Sequence, residues 1–111
     1  MNRKLAVALV ASFAFAPAAA LAAGVDADAA THLMKKSNCF KCHAIDKKKD
    51  APSYQEIAKK LKGKPDAEQK LYTHLTTHPM VKVEGKEEHH ASLKTKDDAE
   101  IHNVIKFILS Q

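Results

Sequence analysis

The sequence contains few of the residues that usually stabilise a short chain. Only two cysteines occur among 111 residues, tryptophan is absent, and aromatic residues make up 5% of the total. Two cysteines cannot build a framework of several disulfides, and they exclude a four-cysteine zinc site. A single domain of this length buries a small hydrophobic core. We therefore expect the chain to need a further stabilising constraint, such as a covalently bound group.

Long apolar runs are equally scarce. One run covers residues 5–16, and no second run of that kind follows it. A short basic segment, residues 2–4, precedes the run, and an A-x-A pattern, residues 20–22, follows it. This order is typical of a cleaved secretory signal peptide, and the run is too short to span a bilayer core. We therefore predict a signal peptide over residues 1–22 and no stable membrane insertion of the mature protein.

Cleavage after Ala22 or, as the second choice, after Ala23 leaves residues 23–111 as one domain. Removal of Arg3 and Lys4 lowers the number of basic residues from 18 to 16 against 13 acidic residues, so the mature chain has a net charge near +3. An excess this small does not indicate nucleic-acid binding.

The two cysteines lie in the segment Cys39-Phe40-Lys41-Cys42-His43. Two cysteines separated by two residues, with histidine directly after the second, are typical of a c-type haem attachment site. Each thiol would form a thioether with one haem vinyl group, and His43 would bind the iron as the proximal ligand. The alternatives are a redox dithiol, which would be flanked by strands, and half of a zinc site, which would need further ligands. The surrounding sequence supports neither of them.

Four segments of the mature chain have helical periodicity. They are residues 26–37, 53–63, 64–76 and 95–111. Ser53 and Glu56 form a capping-box pattern at the start of the second segment, and Met34 falls on the apolar face of the first, which indicates a core residue rather than an iron ligand. Residues 79–94 lack helical periodicity, and we predict a long loop there, because residues 81–83 are too few to indicate a sheet.

The order of these elements resembles that of the small bacterial class I c-type cytochromes, over essentially the whole mature chain. The resemblance implies an all-α, cytochrome c-like bundle of about four short helices wrapped around one covalently attached haem c, held by Cys39 and Cys42. It further implies that the first and last helices cross. In this family the carbonyl of Pro52 would accept the second N–H of His43, and Phe107 would pack the last helix against the haem.

The function implied by the resemblance is that of a periplasmic one-electron carrier, not an enzyme, since c-type haem is attached outside the bacterial cytoplasm. Its partners would be periplasmic or membrane-bound redox proteins, and we expect a monomer. Six lysines around the haem motif favour acidic partners. These lysines are Lys35, Lys36, Lys41, Lys47, Lys48 and Lys49. The alternatives are a haem-based sensor of nitric oxide or carbon monoxide and a periplasmic copper- or zinc-handling protein.

The resemblance leaves the second iron ligand open. Family members usually carry a methionine before the last helix, roughly four dozen residues beyond the proximal histidine and about twenty before the chain end. Met80 lies 37 residues after His43 and 31 before the end, whereas His90 lies 47 after and 21 before. This spacing favours His90, with Met80, His89 and an open site as alternatives. The remaining histidines are expected to be solvated, namely His32, His74, His78 and His102.

The covalent attachment can be tested by extraction. Because a thioether survives acid, acid acetone should leave the haem on the polypeptide, and the Cys39→Ala/Cys42→Ala variant should release it or fail to mature. The measurement is the haem absorbance of the protein pellet and of the solvent phase. Haem recovered in the solvent phase from the parent protein would contradict the attachment.

Overall fold

The computed structural model describes residues 11–12 and 24–111. The other residues of the predicted signal peptide, and the cleavage sites after Ala22 and Ala23, lie outside the described residues. The elements, in chain order, are α1 (Ala27–Lys36), one turn of 3₁₀ helix (Cys39–Lys41), α2 (Tyr54–Leu61), α3 (Ala67–Thr76), β1 (Met80–Val83), β2 (Lys86–His89) and α4 (Asp98–Leu109). No helix in the described part of the chain is long and apolar enough to cross a membrane.

The first two helices begin at side-chain caps, as the sequence predicts. Asp26 precedes α1, and its carboxylate accepts a hydrogen bond from the backbone N–H of Ala29. Ser53 and Glu56 form a capping box at the start of α2, in which each side chain accepts a hydrogen bond from the other residue's backbone N–H. These bonds satisfy N–H groups that a helix leaves without a partner in its first turn.

The last helix begins later than the expected position near Thr95. The N-cap of α4 is Asp97, whose carboxylate accepts hydrogen bonds from the N–H groups of Ala99 and Glu100. The Thr95 hydroxyl instead accepts a hydrogen bond from the N–H of Asp97 and contacts the carboxylate of Glu100. Aspartate is among the best N-cap residues, so the first helical turn starts after Asp97, and Thr95 stabilises the approach to it.

The hydrophobic core is centred on α4, which packs against α1, as the resemblance implies, and also against α2 and α3. Met34, Val104 and Ile105 are fully buried, which confirms the prediction that Met34 is a core residue. At the edge of this contact, the side-chain amide of Asn103 accepts a hydrogen bond from the N–H of Asp26 and donates one to its carbonyl oxygen, both at 2.9 Å. The start of α1 is thereby tied to the middle of α4.

The prediction of a structureless loop over residues 79–94 is wrong, because β1 and β2 form an antiparallel hairpin. Its two-residue turn, Glu84-Gly85, has positive φ at both positions, 50° and 80°. That backbone matches the right-handed twist of the two strands, but it favours glycine, asparagine or aspartate. Because glutamate occupies the first of these positions, the sequence lacks the residue pattern that usually predicts such a turn. The fold is otherwise the predicted helical one, with four helices and this small strand pair.

The capping box yields a stability prediction. Ser53→Ala should lower the free energy of unfolding by about 1 kcal/mol, because it removes the acceptor of the Glu56 N–H. Gln55→Ala, at an exposed position of the same helix, is the matched control and should change it little. Urea denaturation of the mature protein measures both. Equal effects of the two substitutions would contradict the role of the cap.

Candidate haem site

The attachment motif lies in a tight turn directly after α1. Asn38 adopts left-handed backbone, with φ of 61°, and the chain then makes one 3₁₀ turn through Cys39. The carbonyl oxygen of Cys39 accepts hydrogen bonds from the N–H groups of Cys42, at 3.3 Å, and His43, at 3.1 Å. Both thiols and the histidine are therefore carried by a single turn, which suits attachment of one planar group. Burial raises the pKa of the Cys39 thiol.

Two contacts orient the ring of His43. Its Nδ1 donates a hydrogen bond to the carbonyl oxygen of Pro52 at 2.6 Å. The ring also stacks on Tyr54, with 4.9 Å between ring centroids and 26° between planes. A carbonyl oxygen can only accept, so Nδ1 carries the proton, and the lone pair is left on Nε2. The ring is therefore held in the tautomer that a metal ligand needs.

Hydrogen bonds join the end of the loop that follows the motif to the beginning of that loop. The N–H of Ala51 donates to the carbonyl oxygen of Cys42 at 3.0 Å, and the N–H of Tyr54 donates to that of Ala44 at 2.9 Å. Within the same loop, the Lys49 ammonium donates to the carbonyl oxygen of Phe40 at 2.7 Å. These bonds bring the carbonyl oxygen of Pro52 within hydrogen-bonding distance of His43 Nδ1. Lys49 thus contacts the motif itself, in addition to contributing charge near it.

The three candidates for the second ligand lie in or directly after the hairpin, on different faces. The N–H of His90 donates to the carbonyl oxygen of Pro79 at 2.8 Å, which extends the strand pairing by one register position. Because side chains alternate along a strand, His90 shares a face with the half-buried Val81, whereas His89 shares the outer face with Met80. Met80 is 54% exposed. His89 Nδ1 donates to the carbonyl oxygen of His78 at 2.9 Å.

The hairpin brings His90 opposite His43. Their ring centroids are 6.3 Å apart, with 60° between planes. Metal–imidazole bonds are about 2.0 Å long and the ring centre lies about 1.1 Å beyond the nitrogen, so two imidazoles on opposite sides of one metal have centroids roughly 6 Å apart. Nδ1 of His90 and the hydroxyl of Ser92 are buried without a hydrogen-bond partner among the described residues. The residues present therefore fit a haem iron between two histidines.

His74 lies beside His90, contrary to the expectation that it is solvated. Its ring is half-buried on α3, 4.0 Å from the ring of His90 between centroids. Burial lowers the pKa of His74 to about 4. Burial, and then the charge of His43, lower the pKa of His90 as well. Both imidazoles are therefore neutral at pH 7, which is the form that can bind a metal. His32, His78 and His102 are exposed, as expected.

The comparison with known families agrees with this site. A profile of the family described as cytochrome c matches residues 27–111. The chain belongs to the cytochrome c family. Members of this family bind one covalent c-type haem, and Cys39 and Cys42 fit its C-x-x-C-H motif. They transfer electrons to redox partners and are not enzymes.

Individual relatives support the same assignment. Cytochrome c-551 of Pseudomonas aeruginosa is 41% identical over 51 residues, which are 46% of this chain and 49% of that protein, so the match spans about half of this curated relative. The crystal structure of the class 1 cytochrome MtoD from Sideroxydans lithotrophicus has a TM-score of 0.74 and 46% identity, over 78% of this chain and 96% of that one. Cytochrome c552 of Nitrosomonas europaea has a TM-score of 0.56 and 25% identity, over 72% and 96% of the two chains.

Sequence reasoning missed two residues of the site. Tyr54 is 4% exposed and contacts both His43 and Phe40, whose ring it meets edge-on at 6.0 Å between centroids. It lies two residues after Pro52, and a tyrosine so near the expected partner of His43 was a usable signal. His74 carried no such signal, because its contact with His90 joins α3 to the residue after β2. Phe107 is buried in the core at 8% exposure, and its contact with haem stays a prediction.

Proposed function

We propose that this protein is a periplasmic one-electron carrier, with one haem c bound through Cys39 and Cys42 and with His43 and His90 as the two iron ligands. The observation that carries the proposal is the pair of facing imidazoles, 6.3 Å apart between centroids. Nδ1 of His43 is occupied by the Pro52 carbonyl, so its Nε2 is available to a metal. The family supports electron transfer, whereas the comparisons lend no support to a sensor of nitric oxide or carbon monoxide.

The protein residues determine how the haem is held and how easily it accepts an electron. The haem supplies the one-electron change at iron when it is bound. Pro52 fixes the tautomer of His43 and, by accepting its N–H, makes the imidazole a stronger donor. Two imidazole ligands lower the reduction potential relative to a histidine–methionine pair. We therefore expect a lower potential than that of a methionine-ligated relative.

The position of Met80 argues against it as the ligand. Met80 lies on the outer face of the hairpin, opposite His89 in the strand register, and is 54% exposed. Moving its sulfur to the inner face would require a register shift of one residue, which would also expose Val81 and Val83. His90 needs no such change, and its imidazole is the more strongly bound donor to ferric iron.

The ligand assignment predicts different effects of two substitutions on the ferric absorbance spectrum. The parent should lack the weak sulfur-to-iron charge-transfer band, and Met80→Ala should leave the spectrum unchanged. His90→Ala should alter it, because the iron loses a strong-field ligand. A charge-transfer band that is present in the parent and abolished only by Met80→Ala would contradict the assignment. Unchanged spectra in both variants would move the assignment to His89 or to an open site.

The location and partners follow from the family and the charge pattern. Homologous small cytochromes c are typically periplasmic, and we propose that cleavage after Ala22 or Ala23 delivers residues 23–111 there as a monomer. The six lysines around the motif are all exposed, and none of them forms an ion pair within the described residues. The lysines outnumber the acidic residues around the motif, and such an excess of positive charge attracts a partner of opposite sign. We propose that an acidic redox protein, in the periplasm or on its membrane, docks there.

Docking by charge predicts a dependence on ionic strength. The rate of electron exchange with an isolated acidic partner should fall as salt rises, because the ions screen the attraction. Lys47→Gln/Lys48→Gln should reduce the rate at low salt and flatten this dependence. Lys59→Gln/Lys60→Gln, which removes the same charge from α2, is the control and should do neither. Lys49 is left intact because it bonds to Phe40. Stopped-flow rates that are independent of salt would contradict the docking surface.

A further inference from the structure

We propose that His74 and Tyr54 are positioning residues that set the angle between the two imidazole planes at the iron, with His74 the more important of the two. This inference rests on the proposed ligation by His43 and His90. Each ligand ring is packed against one aromatic neighbour, Tyr54 on the proximal side and His74 on the distal side. No ring contact joins Tyr54 to His90, or His74 to His43, within the described residues. The angle between the planes of the His43 and His90 rings is 60°, and in this proposal it depends on both of these contacts.

The proximal ring has two restraints. Its hydrogen bond to the Pro52 carbonyl, at 2.6 Å, defines the direction of Nδ1. The stack on Tyr54, at 4.9 Å and 26°, limits rotation of the ring plane about that direction. Tyr54 is itself buried, and its backbone N–H is bonded to Ala44. Loss of the Tyr54 ring would therefore leave one restraint on His43 in place.

Among the residues that the structure describes, the distal ring lacks a hydrogen bond like the one that Nδ1 of His43 makes to Pro52. The backbone of His90 is fixed by the bond to the Pro79 carbonyl, but Nδ1 of its ring has no hydrogen-bond partner in the described part of the chain. The ring is held by packing against His74, at 4.0 Å between centroids and 45° between planes. His74 sits on α3 between the buried residues Leu71 and Leu75, so its own backbone is rigidly placed. The plane of His90 therefore depends on the ring of His74.

With a haem iron bound by both imidazoles, the angle between the two ring planes would have a physical consequence that stability measurements do not detect. Each imidazole plane would interact with a different combination of the iron dπ orbitals, so the angle between the planes would set the splitting of these orbitals. The g values of low-spin ferric haem report that splitting directly. Residues outside the ligand set that orient a metal-bound imidazole in this way tune the metal without touching it.

The test is electron paramagnetic resonance of the ferric mature protein. His74→Ala should displace and broaden the largest g value, because the His90 ring gains rotational freedom. His74→Phe keeps a planar ring on the same helix and should preserve the parent signal more closely. Tyr54→Leu should cause a smaller displacement than His74→Ala, since the Pro52 bond remains. His32→Ala, at an exposed position on α1, is the matched control and should leave the g values unchanged.

The outcomes separate this inference from the ligand assignment. A sulfur-to-iron band or a high-spin signal in the parent would overturn the bis-histidine proposal and, with it, this inference. If the parent has two histidine ligands and its g values do not change in His74→Ala, this inference alone would be overturned. The same holds if His74→Phe shifts the largest g value as far as His74→Ala does. Should His74→Ala fail to mature, His74→Leu fills a similar volume without a planar ring and carries the same expectation. A loss of thermal stability with unchanged g values would mean a purely structural role and would overturn the inference.

Discussion

The hydrogen bond from His43 Nδ1 to the Pro52 carbonyl oxygen is the interaction on which the arrangement of the site depends. The two residues are nine positions apart in sequence, and the distance between Nδ1 and the carbonyl oxygen is 2.6 Å. The bond joins the attachment turn to the start of α2. The loop bonds of Ala51 and Tyr54 bring the carbonyl into position, and the capping box fixes the first turn of the helix that follows. One acceptor thereby determines the tautomer of the imidazole, and with it the direction from which a metal can bind.

The distal side is organised differently, by the alternation of a two-stranded sheet. Four paired positions, from Met80 opposite His89 to Val83 opposite Lys86, set the faces of the hairpin, and the bond between Pro79 and His90 extends them. A single residue of register distinguishes an inward His90 from an outward His89. The site therefore combines a side chain anchored by a hydrogen bond with one anchored by strand register and by a neighbouring ring. This asymmetry is the reason that the distal ring depends more on its packing neighbour.

The helices and the proximal residues could be predicted because their signals are local. The capping box of Ser53 and Glu56 and the order of cysteines and histidine in the motif each lie within a few residues of sequence. The hairpin could not, since Glu84 occupies a turn position with φ of 50° that rarely accepts glutamate. Several polar residues from Thr95 onwards are possible caps of α4, and only the backbone geometry selects Asp97.

By itself, the sequence determined that this chain is a small helical protein with a haem attachment motif after its first helix, since composition, periodicity and motif are properties of neighbouring residues. Spacing along the chain also pointed to His90. Only the tertiary structure decided which face of the hairpin turns inward and which aromatic rings pack on the two histidines. The contact of His74 with His90 spans 16 residues and two elements, and that of Tyr54 with His43 requires the loop to fold back. Contacts of this kind depend on how the elements pack, because no local pattern specifies the distance between two segments that meet only in the folded chain.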